Sequence, residues 1–460
     1  MTVSAGRRFS IGLVAAAVAA SLAAAPGRAQ EVVPEERPNV LIIVTDDQRA
    51  DETMAVMPDT VDYFSDGVTF SNAIATTPVC CPSRASIMTG RYAHNHNVRS
   101  NAQTEAGRLD QETTLQRHLS AAGYHTGIAG KYLNGWDLSE SPPYFEEYAI
   151  TRTGYYGARF GVGRKGRQTV KRTSGYSTNF VKRWSDRFIR RAEENDSQPW
   201  LLYVTPFAPH APSVVPPRYK KVPVPPFEPN PAMLETDISD KPPQFQKYVA
   251  EFDQAAQEAR RGRQLRSLMP VDDLVRQLTD RLALEEEENT IVFFMSDNGY
   301  MWGEHGLSAK ATPYDQSLRI PLMFRWAGRT VPGVDPRLAA NIDVAPTVYE
   351  ATGLVPPHQM DGRSLLQSWE RESLLAEVYG AVSRPELRWA GVWSHDYQYI
   401  EYYGGDETVP VFREYYDRTL DPWLLDNLFG DGDSTNDPDV VDLSVRLAGY
   451  RHCPLVAPCP

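Results

Sequence analysis

The sequence predicts an α/β fold: a large, mixed, mostly parallel sheet flanked by helices, followed by a small C-terminal antiparallel sheet. Three observations predict it. Apolar runs end abruptly in polar residues, stretches of helical periodicity separate those runs, and beyond residue 373 the pattern changes to short aromatic-rich segments. A chain of 460 residues suits one large domain with a small partner. The expected boundaries are 1–29 for an export signal, 35–372 for the main domain and 373–460 for the C-terminal subdomain.

The elements follow in order. Asn39 to Thr45 is a continuous β-branched apolar run ending in Asp46-Asp47, as suits a strand buried on both faces. Leu115, Leu119 and Ala122 recur at helical spacing before Gly123. Trp200 to Thr205 is a second strand, running into Pro206-Phe207-Ala208-Pro209-His210. Leu274, Val275, Leu278 and Leu282 mark another helix. Thr290 to Met295 is a third strand, ending in Ser296-Asp297-Asn298-Gly299, and Ile320 to Trp326 is a fourth. The segments Ser141 to Pro199 and Ala211 to Pro270, rich in Pro and Gly, read as loop insertions. Leu387–Trp393, Tyr397–Tyr403 and Arg413–Asp417 predict the small antiparallel sheet, and Asp442–Tyr450 a closing helix. In open α/β sheets sites form beyond the carboxyl ends of strands. Three of these runs end there in Asp, Asn or His.

Composition narrows the function. A net charge of −12 excludes a nucleic-acid partner, because phosphate backbones select basic surfaces. Arg7 and Arg8 precede the apolar run Phe9 to Ala25, with small-residue cleavage sites after Ala25 and Ala29. This is the pattern of a signal peptide, so the mature protein is expected to be secreted, periplasmic or at the cell surface. The general and twin-arginine routes both remain open. No other stretch approaches the ~20 apolar residues of a spanning helix, so no stable membrane insertion is expected. Cys453 and Cys459 are placed to close a small disulfide loop in an exported protein. The adjacent Cys80 and Cys81 suggest a different use.

That use is indicated by Cys80-Cys81-Pro82-Ser83-Arg84-Ala85-Ser86-Ile87-Met88-Thr89-Gly90. The segment resembles the signature of the formylglycine-dependent sulfatases, a branch of the alkaline phosphatase superfamily. The resemblance implies an alkaline phosphatase-like fold and sulfate ester hydrolysis. It also implies conversion of Cys80 to formylglycine by a formylglycine-generating enzyme, with Cys81 the variable position. A hydrated aldehyde carries two hydroxyls on one carbon. One can attack sulfur, and the other can then expel sulfate without water having to break the S–O bond. A helix starting at Cys80 would favour the bound anion.

The remaining assignments are also implied by the resemblance. Asp46, Asp47, Asp297 and Asn298, with Cys80 facing them, resemble the family's metal ligands. They are hard oxygen donors suited to one Ca²⁺. Lys131, in Gly130-Lys131-Tyr132-Leu133-Asn134, and Lys310, in Leu307-Ser308-Ala309-Lys310, resemble the lysines that hold sulfate. His210 is similar to the histidine that assists the leaving oxygen, and Arg84 would steady the formylglycine oxygen. Many arylsulfatases have Gly-Lys-Trp-His where this chain has Gly-Lys-Tyr-Leu. The form present here, with His94-Asn95-His96-Asn97, resembles the N-acetylglucosamine-6-sulfatase branch. His305, in Gly303-Glu304-His305, becomes the candidate for the base so displaced.

Two rival readings follow from the same residues. Phosphate and sulfate are similar tetrahedral anions, so a phosphomonoesterase or phosphodiesterase fits the same scaffold. An exported, non-catalytic glycan-binding protein would result if Cys80 were never converted. The acidic ligand set argues against the latter, since a binder has no use for so costly a charge cluster. A concentration of Lys and Arg between Thr151 and Arg191, including Arg164, Lys165 and Arg167, with only Asp186 against it, suggests attraction of a polyanionic sugar chain.

Overall fold

The computed structural model describes residues 37–164, 166–194, 197–285, 289–381, 384–453 and 459. The export signal expected at 1–29 lies outside them, as does Lys165. Sixteen strands are formed among the described residues. They are β1 (Asn39–Thr45), β2 (Val68–Ile74), β3 (His125–Lys131), β4 (Glu147–Thr151), β5 (Arg159–Arg164), β6 (Arg167–Arg172), β7 (Trp200–Thr205), β8 (Thr290–Ser296), β9 (Met301–Trp302), β10 (Ser308–Ala309), β11 (Leu322–Trp326), β12 (Gly333–Ala340), β13 (Ser373–Ala381), β14 (Arg384–Ser394), β15 (Tyr397–Tyr403) and β16 (Pro410–Asp417).

Ten of them make one mixed sheet, in the order β12-β2-β11-β8-β1-β7-β3-β4-β5-β6. Its centre, β8-β1-β7-β3-β4, is wholly parallel. The β1 run is apolar without alternation because both its faces are covered. Val40, Ile42 and Val44 pack with helices Cys80–Thr89, Leu115–Ala121 and Val344–Ala351. Leu41 and Ile43 pack on the other face with helices Ser177–Glu193 and Gln254–Leu284. No helix among the described residues is long and apolar enough to cross a membrane.

The second sheet, β13-β14-β15-β16, is antiparallel throughout. Its aromatics pack with Met301, Leu307, Tyr314 and Ile342 of the main body. Helix Val440–Arg451 follows, started by the Asp439 side chain, which accepts from the Val441 and Asp442 N–H groups. Cys453 and Cys459 are disulfide-bonded, with Cα atoms 5.3 Å apart.

Two expectations are corrected. The segment Ser141 to Pro199 is not a loop insertion: it contains β4, β5, β6 and the 17-residue helix Ser177–Glu193. Two of its glycines, Gly161 and Gly163, lie within β5 because neighbours need the room. A Cβ on Gly163 would sit 2.1 Å from the Tyr148 ring. The segment Ala211 to Pro270 ends inside the 31-residue helix Gln254–Leu284, which runs through Pro270. Proline removes one backbone donor. Burial of Leu265, Leu268, Val271, Leu274, Val275 and Leu278 on one cluster outweighs that loss.

Candidate active site

The site lies at the carboxyl ends of the central parallel strands. β1 and β8 are in register at Thr45 and Ser296, so Asp46-Asp47 and Asp297-Asn298 emerge side by side. β7 flanks β1 on the other side, and the loop after it brings Pro209 to pair with Asp46. β3 lies beyond β7 and ends in Lys131. A glycine is required just before it: Gly130 has φ +117°, and a Cβ there would lie 1.9 Å from the Thr205 carbonyl oxygen.

Cys80 is the first residue of helix Cys80–Thr89, all ten of whose residues are buried. The helix ends at Gly90, in the left-handed region at φ +68°. The Asp361 and Gly362 N–H groups both donate to the Gly90 carbonyl, and Asp361 also accepts from Tyr92 N–H and Asn95 Nδ2. His96 accepts the Val98 N–H at Nδ1 and meets Ser86 Oγ at 3.0 Å through Nε2. The motif at 94–97, together with Asp361 and Gly362, therefore braces the helix that carries Cys80.

The predicted residues converge on Cys80. Its Sγ lies 3.3 Å from Asp46 Oδ1, 3.9 Å from Asp47 Oδ1 and 2.6 Å from Lys310 Nζ. Lys131 Nζ donates to Asp46 Oδ2 at 2.6 Å. Lys310 Nζ also donates to Asp47 Oδ1, and to Asn298 Oδ1 at 3.3 Å. Arg84 Nε donates to Asp297 Oδ2 at 2.9 Å and its Nη1 to the Lys131 carbonyl at 2.8 Å. Asp297 Oδ1 accepts the Asp47 N–H at 3.1 Å. His210 is 30 % exposed, with Nε2 3.7 Å from Asp47 Oδ2. Its Nδ1 lies 2.7 Å from the Ala211 carbonyl, to which it donates, and Nε2 is left facing the site.

Electrostatics separates the members. Burial raises the Asp46 carboxyl, but Lys131, His210, Arg84 and Lys310 together hold it far below the ordinary range. Burial, then the neighbouring Asp46 charge, raise Asp297. Burial and then Asp46 push the Cys80 thiol up to about 12 against the pull of Lys131 and Lys310. Cys81 is pushed up to about 12 by burial and packs in the core.

The residues fit a hard divalent cation. Donor atoms of Asp46, Asp47, Cys80 and His210 lie within 4.8 Å of one another. The Lys310 ammonium stands among Asp47 Oδ1, Asn298 Oδ1 and Cys80 Sγ, so these donors already surround positive charge. Asp297 is turned to Arg84 and the Asp47 N–H.

His305 is not brought to Cys80 by any hydrogen bond or ion pair among the described residues. Its Nδ1 lies 2.5 Å from Glu235 Oε2 and its ring packs 4.2 Å from that of Tyr314. Its backbone is left-handed, at φ 53°. Leu133 or Asn134 stands in the region of the family's Gly-Lys-Trp-His histidine, and Leu133, like Tyr132 before it, packs in the core. Several supports were not anticipated. Asn341 Nδ2 donates to Ser83 Oγ at 2.9 Å while its Oδ1 accepts the Thr76 N–H. Asn341 follows β12 directly, so the strand-end logic could have found it. Asn101, whose Oδ1 accepts the Cys81 N–H at 2.8 Å, gave no sequence signal.

The fold and this charge-lined strand-end site define a hydrolase of the alkaline phosphatase-like superfamily. The sulfatase family profile matches residues 38–354, and a profile for the C-terminal part of N-sulphoglucosamine sulphohydrolase matches residues 303–448. The chain belongs to the sulfatase family, a family of sulfuric ester hydrolases. It is 31% identical over 486 residues to the N-acetylglucosamine-6-sulfatase of Homo sapiens, covering 91% of this chain and 85% of that protein. It is 32% identical over 352 residues to the extracellular sulfatase SULF-1 homologue of Drosophila melanogaster, covering 72% of this chain. That alignment spans 31% of the Drosophila protein, and the one with a putative extracellular sulfatase of Caenorhabditis elegans spans 48% of it, so the chain matches half or less of each. Among solved structures, one in complex with its substrate D-glucosamine-2-N,6-O-disulfate matches with TM-score 0.76 at 21% identity, over 90% of this chain and 97% of that one. The phosphonate monoester hydrolase from Silicibacter pomeroyi matches with TM-score 0.69 at 22% identity, over 90% and 95%. These two likenesses speak to the fold.

Proposed function

We propose that this chain is an exported enzyme that hydrolyses sulfate esters of sugars, with 6-sulfated glucosamine as the leading substrate. Cys80 is converted to formylglycine, and one Ca²⁺ is held by Asp46, Asp47, Asp297 and Asn298, facing residue 80. The observation that carries this reading is the convergence of three carboxylates, two lysines and an arginine on the first residue of one helix. The names of the human and Drosophila relatives and the disulfated glucosamine of the solved neighbour support the sugar substrate and the export.

Formylglycine supplies, as its hydrate, an oxygen nucleophile and a second hydroxyl for release of sulfate. The cation supplies positive charge for the sulfate oxygens. The chain's own groups do the rest. Lys131 and Lys310, now spent on Asp46 and Asp47, are placed to turn to an incoming sulfate. Arg84 fixes Asp297 and the end of β3 through its two bonds. His210 presents Nε2 at the exposed mouth of the site, suited to passing a proton to the leaving oxygen.

The test pairs two measurements on one sample: mass analysis of the Cys80 peptide, and sulfate release from glucosamine 6-sulfate. Formylglycine with turnover is expected. Turnover with an unmodified cysteine would overturn the mechanism. The likeness to a phosphonate monoester hydrolase favours one second reading, a phosphate or phosphonate esterase. Matched sulfate and phosphate esters of one alcohol separate the two.

A further inference from the structure

The basic segment Thr151 to Arg191 is split by the fold. β3 and β4 are in register at Lys131 and Thr151, so the chain leaving β4 starts about 5 Å, one strand spacing, from the end of β3. Arg152 follows at once. β5 and β6 return antiparallel, pairing Thr151 with Phe160 and Arg159 with Arg172. Arg152, Arg159 and Arg172 are thereby gathered at the active-site end of the sheet. Arg164 and Arg167 pair with each other across from Glu147, at the opposite end of β4. There Arg164 and Arg191 are both engaged by Glu147. Asp186, the acid expected to oppose the segment, pairs instead with Arg281.

Arg152, Arg159 and Arg172 line a cleft of about 490 Å³ together with Gly154, Tyr156 and Asp137. Among the described residues, none of the three guanidiniums has an ion-pair partner. Asp137 is the one carboxylate in the lining, and it accepts hydrogen bonds from Ser139 N–H and Oγ. The cleft therefore carries net positive charge facing solvent.

The cleft is joined to the catalytic centre. Tyr155, between Gly154 and Tyr156, is buried, and its hydroxyl donates to the His210 carbonyl at 2.5 Å. Its ring packs 5.3 Å from Phe207, whose ring lies 5.9 Å from Lys131 Nζ. Tyr156 is 48% exposed, held at its edge by Tyr176, and offers a flat apolar surface for a sugar ring beside the charges.

We propose that the Arg152–Arg159–Arg172 cleft binds a second anionic group, a sulfate or carboxylate, on the same sugar chain whose sulfate ester is hydrolysed. Planar guanidiniums suit both anions, which they bind in bidentate fashion. The preferred substrate is then a multiply anionic oligosaccharide and not a lone sulfated sugar. This rests on the sulfatase reading given above.

The test compares two substrates, a heparin-derived tetrasaccharide with 6-O-sulfated glucosamine at its non-reducing end and 4-nitrophenyl sulfate. In the R152Q/R159Q/R172Q variant KM for the tetrasaccharide should rise about tenfold to a hundredfold, from the loss of three charge-assisted contacts. Turnover of 4-nitrophenyl sulfate should stay within about twofold, since it meets only the inner site. The R164Q/R167Q variant, altered at the far end, should change neither. Equal losses on both substrates, or an unchanged tetrasaccharide KM, would overturn the proposal. R159E provides a second variant should the triple one fail to fold. Calorimetric binding of the tetrasaccharide to the Cys80→Ala protein, with and without the three substitutions, tests the cleft without turnover. Tight, arginine-dependent binding by a wild-type protein inactive on both sulfates would sink the sulfatase reading and leave the cleft standing. Binding insensitive to the three arginines would sink the cleft alone.

Discussion

Asp46 and Glu414 are both fully buried, yet they are held in opposite ways. Glu414 is surrounded by neutral donors: the hydroxyls of Tyr314, Tyr416 and Tyr402. Burial raises its carboxyl despite the nearby Lys241. Asp46 is surrounded by cations and two further carboxylates, and lies far below the ordinary range. The first cluster is closed, since each donor already has its acceptor. The second is a set of like charges kept together by lysines that could exchange their partners. A buried carboxylate alone thus marks nothing. Several of them, converging with long cationic side chains at neighbouring strand ends, mark a site.

The comparison can be broken by substitution. Cys80→Ala should abolish sulfate release by at least about a thousandfold while leaving the circular dichroism spectrum unchanged. Cys81→Ser, at the next residue but in the core, should be mild. Asp297→Ala should lose about 3–4 kcal/mol of transition-state stabilisation, roughly a hundredfold to a thousandfold in kcat/KM. Calcium should raise the Tm of the wild type and not that of this variant, because a ligand stabilises only the state that binds it. Glu414→Gln should do the reverse, costing about 1–3 kcal/mol of stability by denaturant unfolding with kcat intact in the folded protein. Activity loss in Glu414→Gln at full folding would erase the distinction drawn here.

A smaller effect concerns pH. Burial holds His96 at about 3, against 6.5 for a free imidazole. Between those values protons bind the unfolded chain in preference, so stability should fall as the pH drops below 6.5, by up to ~1.4 kcal/mol per pH unit. His96→Gln should flatten that slope, as measured by denaturant midpoints across the range. Smallest of all, reduction of Cys453–Cys459 should cost at most about 2 kcal/mol, because the loop it closes is short.

Much of this was legible in the sequence because the chemistry lies in unbroken local words. Asn39–Thr45 with its two aspartates, Trp200–Thr205 with its histidine and Thr290–Ser296 with Asp297 each join a buried strand to an end in the candidate site. The edges were less legible. β5 carries two glycines, Gly161 and Gly163, whose purpose is clearance from a neighbour, which no local pattern reveals. The charge run at 151–191 was visible, but which arginines share an end of the sheet is set by antiparallel register, a non-local property. His305 illustrates the same limit. Its sequence neighbourhood suited a base, while its ring meets Glu235 and Tyr314, partners distant in sequence or supplied by the fold.

The burial of the helix that begins at Cys80 has a consequence for timing. The cysteine is 0% exposed, and the nine residues that follow it are buried as well. A modifying enzyme needs the side chain and several flanking residues in its own cleft, which the closed fold denies. On the conversion proposed above, oxidation of Cys80 has to come before this helix packs against the face of the central sheet. On that proposal folding works as a deadline: a chain that collapses first is sealed with its thiol intact, well folded and inert.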